Sequence, residues 1–490
     1  MRWARILQTL LVVLVFGGLG GWLMMFRPVP QKPGHDLAAL FNHGSIGNEE
    51  TQGLPYWIWR VLPQVFPDLL PGNGDGYAVF GVQWQRGAEL PVGFSKMTLG
   101  VIPRVAPNCA FCHQGSYRLS PTLPARLVSA GAGTRVDVQA YLRFLSRAGQ
   151  DPRFTSKRLM EEINAIADLP LWERMLYRHA LIPATRAALR DLAADFRWTQ
   201  TRPDWGPGRI DPFNPVKFVN LGLPDDGTIG NSDMMPLWAL GPIASDGNGI
   251  RAMHWDGLMT DLHETVVAGA IGDGMTWQSY PRTKTNLARM EEFIRVQTPP
   301  PSPFRSDLAP GDPYRVEAAE VLAGHRIYAR LCADCHERGG QRFRQPIPAA
   351  EIGTDRHRLD MWTAAARDRY AGYEEGHSWG FKSFRKTEGY SAVNLTGLWL
   401  RGPYLHNGSV PSLRALLMPP DQRPNTFLRG SDLIDPENGG FRSDPARLDP
   451  ASPGWLYDTA LPGNGNGGHL WGTDLPPAER DALLSYLKTL

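Results

Sequence analysis

Cysteine is scarce in this chain: four residues in 490, all in two short stretches, "NCAFCHQG" (108–115) and "LCADCHER" (331–338). Charge of one sign is also missing. Lys and Arg total 51 against 49 Asp and Glu, a formal net charge of +2. A nucleic-acid surface needs clustered cations, so no nucleic-acid partner is expected. Histidine is absent from the whole of 114–178. No convincing run of alternating apolar and polar residues marks a set of strands, and no internal repeat appears beyond the two cysteine motifs.

What the chain does have is length for two or three domains, 52 Gly and 43 Pro, and 16 Trp and 19 Phe that need burial. These numbers suggest long connections over a real core. At the N-terminus Arg2 and Arg5 precede an apolar run from Ile6 to Phe26, broken only by Gln8 and Thr9. Its 21 residues match the length needed to cross a bilayer as a helix. No small-residue cleavage site follows; Trp22, Met24, Met25 and Phe26 are bulky. The expectation is an uncleaved transmembrane helix, with the arginines on the cytoplasmic side and the rest exported. That places the protein as a single-pass protein of the bacterial inner membrane with its bulk in the periplasm.

Two disulfides are one way to use four cysteines in an exported chain. A bond across Cys-x-x-Cys closes only a tiny loop, however, and each pair is followed at once by histidine, His113 and His336. Cys-x-x-Cys-His is the attachment sequence for c-type haem. One helical turn sets both sulfurs along one haem edge and turns the imidazole to the iron. A zinc site needs four ligands, and one motif offers three. A thioredoxin-like pair needs a βαβ context that is not seen. The expected cofactors are two covalently attached c-type haems, on Cys109, Cys112 and His113 and on Cys332, Cys335 and His336.

The chain divides into a membrane anchor or signal (1–30), an N-terminal haem domain with a helical insertion (31–297), a Pro-rich linker (298–309, from "TPPPSPF") and a C-terminal haem domain (310–490). The fold class expected is mainly α: two cytochrome c-like haem domains with long loops and a helical insertion, preceded by the N-terminal transmembrane helix. In the C-terminal domain, "VEAAEVLAGHRIYARLCADCH" reads as a helix running into the motif, with Ala323, Ile327 and Leu331 on one face. A closing helix follows "GTDLPPAERDALLSYLKTL", with Thr473 or Asp474 as N-cap and Leu483, Leu484, Leu487 and Leu490 apolar. Two such helices crossing at a glycine look like the small cytochrome c fold. In the N-terminal domain, 137–149, "SKRLMEEINAIADL" and "LWERMLYRHALIPATRAALRDLAADF" read as helices.

The second axial position of each iron decides function. For the second motif the candidates are His357, His377, His406, Met418 and His469. His469 leads, because "GNGNGGHLWGTDL" is a glycine-rich loop able to approach a haem face. Met418 has the spacing of a packed helix residue, and His406 suits a propionate or supporting contact. In 114–178 the only methionines are Met160 and Met175, and with His179 just beyond they lie in helix-like segments where packing is the ordinary role. An open first haem is expected, although His35, His43, His254 or His263 can fold back. Trp255, in "AMHWDGLMTDLHETV", sits before Asp256 and Gly257, which suggest a turn that fixes its indole for electron relay.

At these residues the chain resembles the di-haem cytochrome c peroxidase superfamily. "HWDG" (254–257) is similar to the segment carrying that family's tryptophan between the haems. "GPYLHNGSVPSLRALL" (402–417) and the final helix are similar as well. Within the superfamily, "NLTGLWLRGPYLHNGSVPSLRALLMPPDQRPNTFLRGS" most resembles the rubber-oxygenase-like di-haem branch. The resemblance implies that the first haem is catalytic with His113 proximal, that His336 is proximal to the second with His469 opposite, and that Trp255 relays between them. The peroxidases' acidic residue about 20 positions past that tryptophan has only Asp273 as a match here. The expected function is an oxidoreductase. Its open N-terminal haem would activate peroxide or dioxygen, and its bis-His C-terminal haem would exchange electrons with a periplasmic partner, an organic substrate being a further possibility. The alternative is a non-catalytic di-haem electron carrier.

Overall fold

A computed structural model of the chain describes residues 27–29, 36–72, 74, 76–240, 252–373, 377, 381–444, 446 and 454–490. Helices form most of its regular structure, but the fold is not mainly α in the sense expected. One four-stranded antiparallel sheet and four two-stranded ribbons are present among the described residues. The larger sheet is built on the hairpin of Phe94–Leu99 with Ile102–Pro107, where Ser95 pairs Ala106 and Met97 pairs Arg104. Its strands show no strict alternation of buried and open residues, which is why period-two patterning missed them.

The expected membrane span is also corrected. Among the described residues no helix is long and apolar enough to cross a membrane. The Ile6–Phe26 run lies outside the described residues. The longest helix described, Tyr280–Val296, has 17 residues and carries Arg, Lys and Glu along its length. The inner-membrane placement rested on that span, and no helix among the described residues supports it.

The N-terminal part buries an aromatic core in which Trp59 stacks on Tyr77 at 4.2 Å and Phe94 meets Phe111 edge-on at 5.1 Å. The helical insertion packs on this core: Val138–Gln150, Ser156–Ile166 and Leu171–Leu176, the last continuing through a π turn at Tyr177–Leu181 into Ile182–Asp195. Leu159, Ile163 and Leu189 are buried as their spacing predicts, whereas Ile166 is exposed. A second core runs between the two halves of the sequence. It holds Tyr117, Trp238 and Val267 together with Trp399 and Phe441.

In the C-terminal part the helix Ala318–Leu331 crosses the closing helix Pro477–Thr489. Gly324 makes the crossing possible: a Cβ there would lie 2.1 Å from the Ala482 carbonyl oxygen. Leu483, Leu484 and Leu487 are buried at this crossing, each contributing about 2 kcal/mol. The closing helix starts later than expected, with Pro476 as its N-cap and no side-chain cap, because proline preorganises the first turn without a donor.

Candidate functional site

The first motif follows the Ile102–Pro107 strand. Asn108 ends that strand and caps the single turn Cys109–Cys112, its side chain accepting from the Ala110 N–H at 3.0 Å. The Asn108 amide also donates to the carbonyls of Phe41 and Gly44, which ties the turn to the preceding helix, Leu37–His43. Gly93 lies against this turn, where a Cβ would meet the Phe111 Cα at 2.4 Å. His113 follows directly, its Nδ1 donating to the Met235 carbonyl at 2.8 Å. A carbonyl only accepts, so the proton is on Nδ1 and the Nε2 lone pair is free for a metal.

The second motif is the continuation of the Ala318–Leu331 helix. Cys332 breaks it, and Ala333–His336 forms one further turn. The His336 Nδ1 donates to the Val393 carbonyl at 2.7 Å, the same arrangement as at His113. Burial, with the charge of Arg401 adding to it, holds the His336 imidazole below its ordinary pKa and therefore neutral.

Opposite His336 stands His469. The two ring centroids are 6.3 Å apart with planes at 57°. Two metal–nitrogen bonds of about 2 Å and two ring half-widths of about 1.2 Å give roughly 6.4 Å, so the pair has the spacing for one iron between them. His469 reaches this place on a strained backbone at φ +49. Gly468 before it packs against Gly353 and Thr354, where a Cβ would come within 2.3 Å of the Gly353 carbonyl carbon. The His469 N–H donates to the Ile352 carbonyl at 2.8 Å, and Arg423 donates to the carbonyls of Asn466, His469 and Met418. Burial pushes the His469 pKa down to about 4, with the charges of His336 and Arg423 adding to it, so this ring too is a neutral ligand.

Burial pushes Cys109 up to about 12, Cys112 well above the usual thiol range and Cys332 up to about 12, and raises Cys335, so the four sulfurs are neutral thiols in this setting. Among the described residues no group of three or more His, Cys, Asp and Glu side chains has metal-holding geometry. The donor set at the second motif, two thiols and two facing neutral imidazoles, fits a c-type haem. The first motif has the thiols and one imidazole.

The remaining candidates are placed as follows. Among the described residues no second imidazole makes ring contact with His113; His254 acts on it electrostatically. His43 contacts Gln85, and His263 pairs with Glu291. His35 lies outside the described residues. His357 is paired with Asp355, and His377 stacks near Trp277. His406 is buried and stacked on Tyr390 at 4.0 Å. Met418 uses its carbonyl, not its sulfur. Met160 is core, Met175 is exposed, and His179 lies on the insertion's π turn. Trp255 is half-buried against the cluster of Ala349, Leu359 and Tyr390, its buried Nε1 lacking a hydrogen-bond partner among the described residues. Asp256 behind it is held by Arg358 in a buried pair at 2.8 Å.

Sequence reasoning undervalued Asp273 and missed Met235 and Val393. Asp273 caps the Leu262–Gly272 helix and is near enough to Cys109 and Cys112 for its charge to raise both thiols. Asp273 is exposed in the fold, and the protein packed around its carboxyl raises its pKa to about 7. Carbonyl acceptors such as Met235 and Val393 carry no residue-type signal, and nothing in the sequence announces them.

Residues 389–428 match the family described as RoxA-like, cytochrome c-like, a stretch that includes Val393, Arg401 and His406. The match supports a cytochrome c-like domain with covalently bound c-type haem and agrees with the rubber-oxygenase-like branch. Two proteins of Sinorhizobium fredii (strain NBRC 101917 / NGR234) are similar in sequence. Uncharacterized protein y4iJ is 43% identical over 110 residues, 21% of this chain and 18% of its own length. Uncharacterized protein y4iM is 30% identical over 186 residues, 32% of this chain and 42% of its own length. The chain spans less than half the length of either relative.

Proposed function

We propose that the chain is a di-haem c-type cytochrome acting as an oxidoreductase, with an open first haem on Cys109, Cys112 and His113 and an electron-transfer haem on Cys332, Cys335, His336 and His469. The observation that carries this reading is the asymmetry between the motifs. His336 has a facing imidazole at 6.3 Å, and His113 has none among the described residues. When bound, a c-type haem supplies a one-electron iron couple and, where an axial position is free, a place for dioxygen or peroxide.

The chain's own residues provide the rest. Met235 and Val393 hold the two proximal imidazoles in the tautomer that presents Nε2. Asp273, titrating near neutrality beside the first motif, accepts and returns a proton at its carboxylate. Trp255 packs on the small cluster of Ala349, Leu359 and Tyr390, on which Ile352, whose carbonyl anchors His469, also packs, and it offers an aromatic route for electrons at the second site. The partners are an electron-transfer protein and a small oxidant or organic substrate. A second reading, a di-haem electron carrier, has one observation in its favour. His254 has a buried Nε2 without a partner and acts electrostatically on His113, so it is the candidate second ligand there.

Haem counting on the purified protein tests the proposal. Two haems per chain are expected, with Cys109→Ala/Cys112→Ala and Cys332→Ala/Cys335→Ala each removing one. A single haem in the parent protein contradicts it.

A further inference from the structure

Between the loops that anchor the two proximal histidines lies a small cavity. Met235 and Val393, whose carbonyls hold His113 and His336, both line it, together with Trp238, Arg344, Ser391 and Arg401. Its polar lining is rich in donors. The Trp238 Nε1 and the Ser391 Oγ are buried with no hydrogen-bond partner among the described residues. Arg401 is 8% exposed and stacks over the Trp238 ring at 5.6 Å. Its Nε and Nη2 donate to the Thr396 carbonyl at 3.1 and 2.9 Å, and its Nη1 has no hydrogen-bond partner among the described residues.

Among the described residues no carboxylate contacts Arg401 or lines the cavity. A buried guanidinium without a counter-charge is costly, and burial together with the nearby Arg344 charge lowers its pKa to about 9. The backbone is strained at the same place. Ala239 and Arg344 adopt φ of +57 and +56, and the Arg344 guanidinium donates to the Ala239 carbonyl. Strain that gathers around a set of unmatched donors marks a site built for an absent acceptor.

We infer that this cavity is a carboxylate site that receives a propionate group of the haem held by His336, with Arg401, Trp238 Nε1 and Ser391 Oγ as its donors. The inference rests on the reading that the second motif carries haem. The charge of Arg401 reaches His336, so the same cation that binds the carboxylate offsets its negative charge at the iron. Removing the cation leaves the carboxylate unbalanced, which stabilises the ferric state and lowers the midpoint potential.

The test is a redox titration of the purified holo-protein followed in the visible spectrum, after haem content has been measured. Arg401→Gln is expected to shift the ferric-to-ferrous ratio of the low-spin haem about tenfold at fixed potential, a fall of about 59 mV for one electron. Arg401→Lys, which keeps the charge, shifts it less. Trp238→Phe and Ser391→Ala shift it in the same direction and carry the test if Arg401→Gln fails to accumulate. Unchanged midpoints in haem-loaded variants overturn the inference. It is equally overturned if added acetate moves the midpoint of the parent protein but not that of Arg401→Gln, because the cavity then takes a free anion. A parent protein without haem at 331–338 overturns the functional reading instead, and the haem count separates the two failures.

Discussion

The imidazoles of His336 and His469 face each other at 6.3 Å, although 132 residues separate them in sequence. One is fixed by the helix that runs into the motif. The other is carried on a glycine-rich loop pressed onto the backbone at Ile352–Thr354. Neither ring is charged in this setting, and both are presented to the space between them.

Replacing His469 by Gly removes one of the two facing rings and leaves His336 and both sulfurs in place. The expected outcome is loss of the low-spin signal of the second haem in EPR, recovered by added imidazole. A low-spin signal that persists without imidazole would assign the ligand to another residue.

Gly468→Ala tests the loop rather than the ligand. A Cβ at this position meets the Gly353 and Thr354 backbone within 2.4 Å, and the native φ is +72. The loop must lift, at a cost of about 1–3 kcal/mol, and His469 moves with it. Thermal unfolding should show the destabilisation, and the second haem should turn partly high-spin. A variant with unchanged melting and spectrum contradicts the described docking.

Desolvation raises the Asp273 carboxyl, exposed though the residue is, to about 7. In the proposed peroxide reaction its ionised form is the one that accepts a proton, so turnover is expected to rise with pH through about 7. Asp273→Asn should flatten that limb and lower the rate by about 10²-fold or more. A variant that keeps the limb assigns it to another group.

His406 makes the fold acid-sensitive. Burial pushes its pKa down to about 3, with Asp355 and Asp256 opposing and Arg358 adding to the depression. Between about 3 and the ordinary value of about 6.5, the unfolded chain binds this proton and the folded chain does not. Stability is therefore full above about 6.5 and falls as pH drops toward 3, by a few kcal/mol in all. His406→Gln removes this contribution, so its denaturation midpoint should vary less than that of the parent across this window.

Much of the helical scaffold was legible in the sequence. Val138–Gln150 and Pro477–Thr489 carry apolar residues at helical spacing against one neighbour, and the Ala318–Leu331 helix leads into a motif with a known shape. The strands were not legible, because Phe94–Leu99 and Ile102–Pro107 bury residues on both faces. His469 stood out through the glycines around it. The partners that orient His113 and His336 did not, since any residue supplies a carbonyl. Arg401 and Trp238 meet only through the tertiary fold, so neither carries a local signal. The N-terminal apolar run had the length of a membrane span, yet no described helix has that character.

The most direct test of the account is carbon monoxide binding to the reduced, haem-loaded protein, read as the number of haems whose Soret band shifts. The account predicts one of two in the parent protein and two of two in His469→Gly. Binding to neither haem in the parent, with both irons low-spin, contradicts the open first site and makes the protein an electron carrier with His254 the first residue to replace.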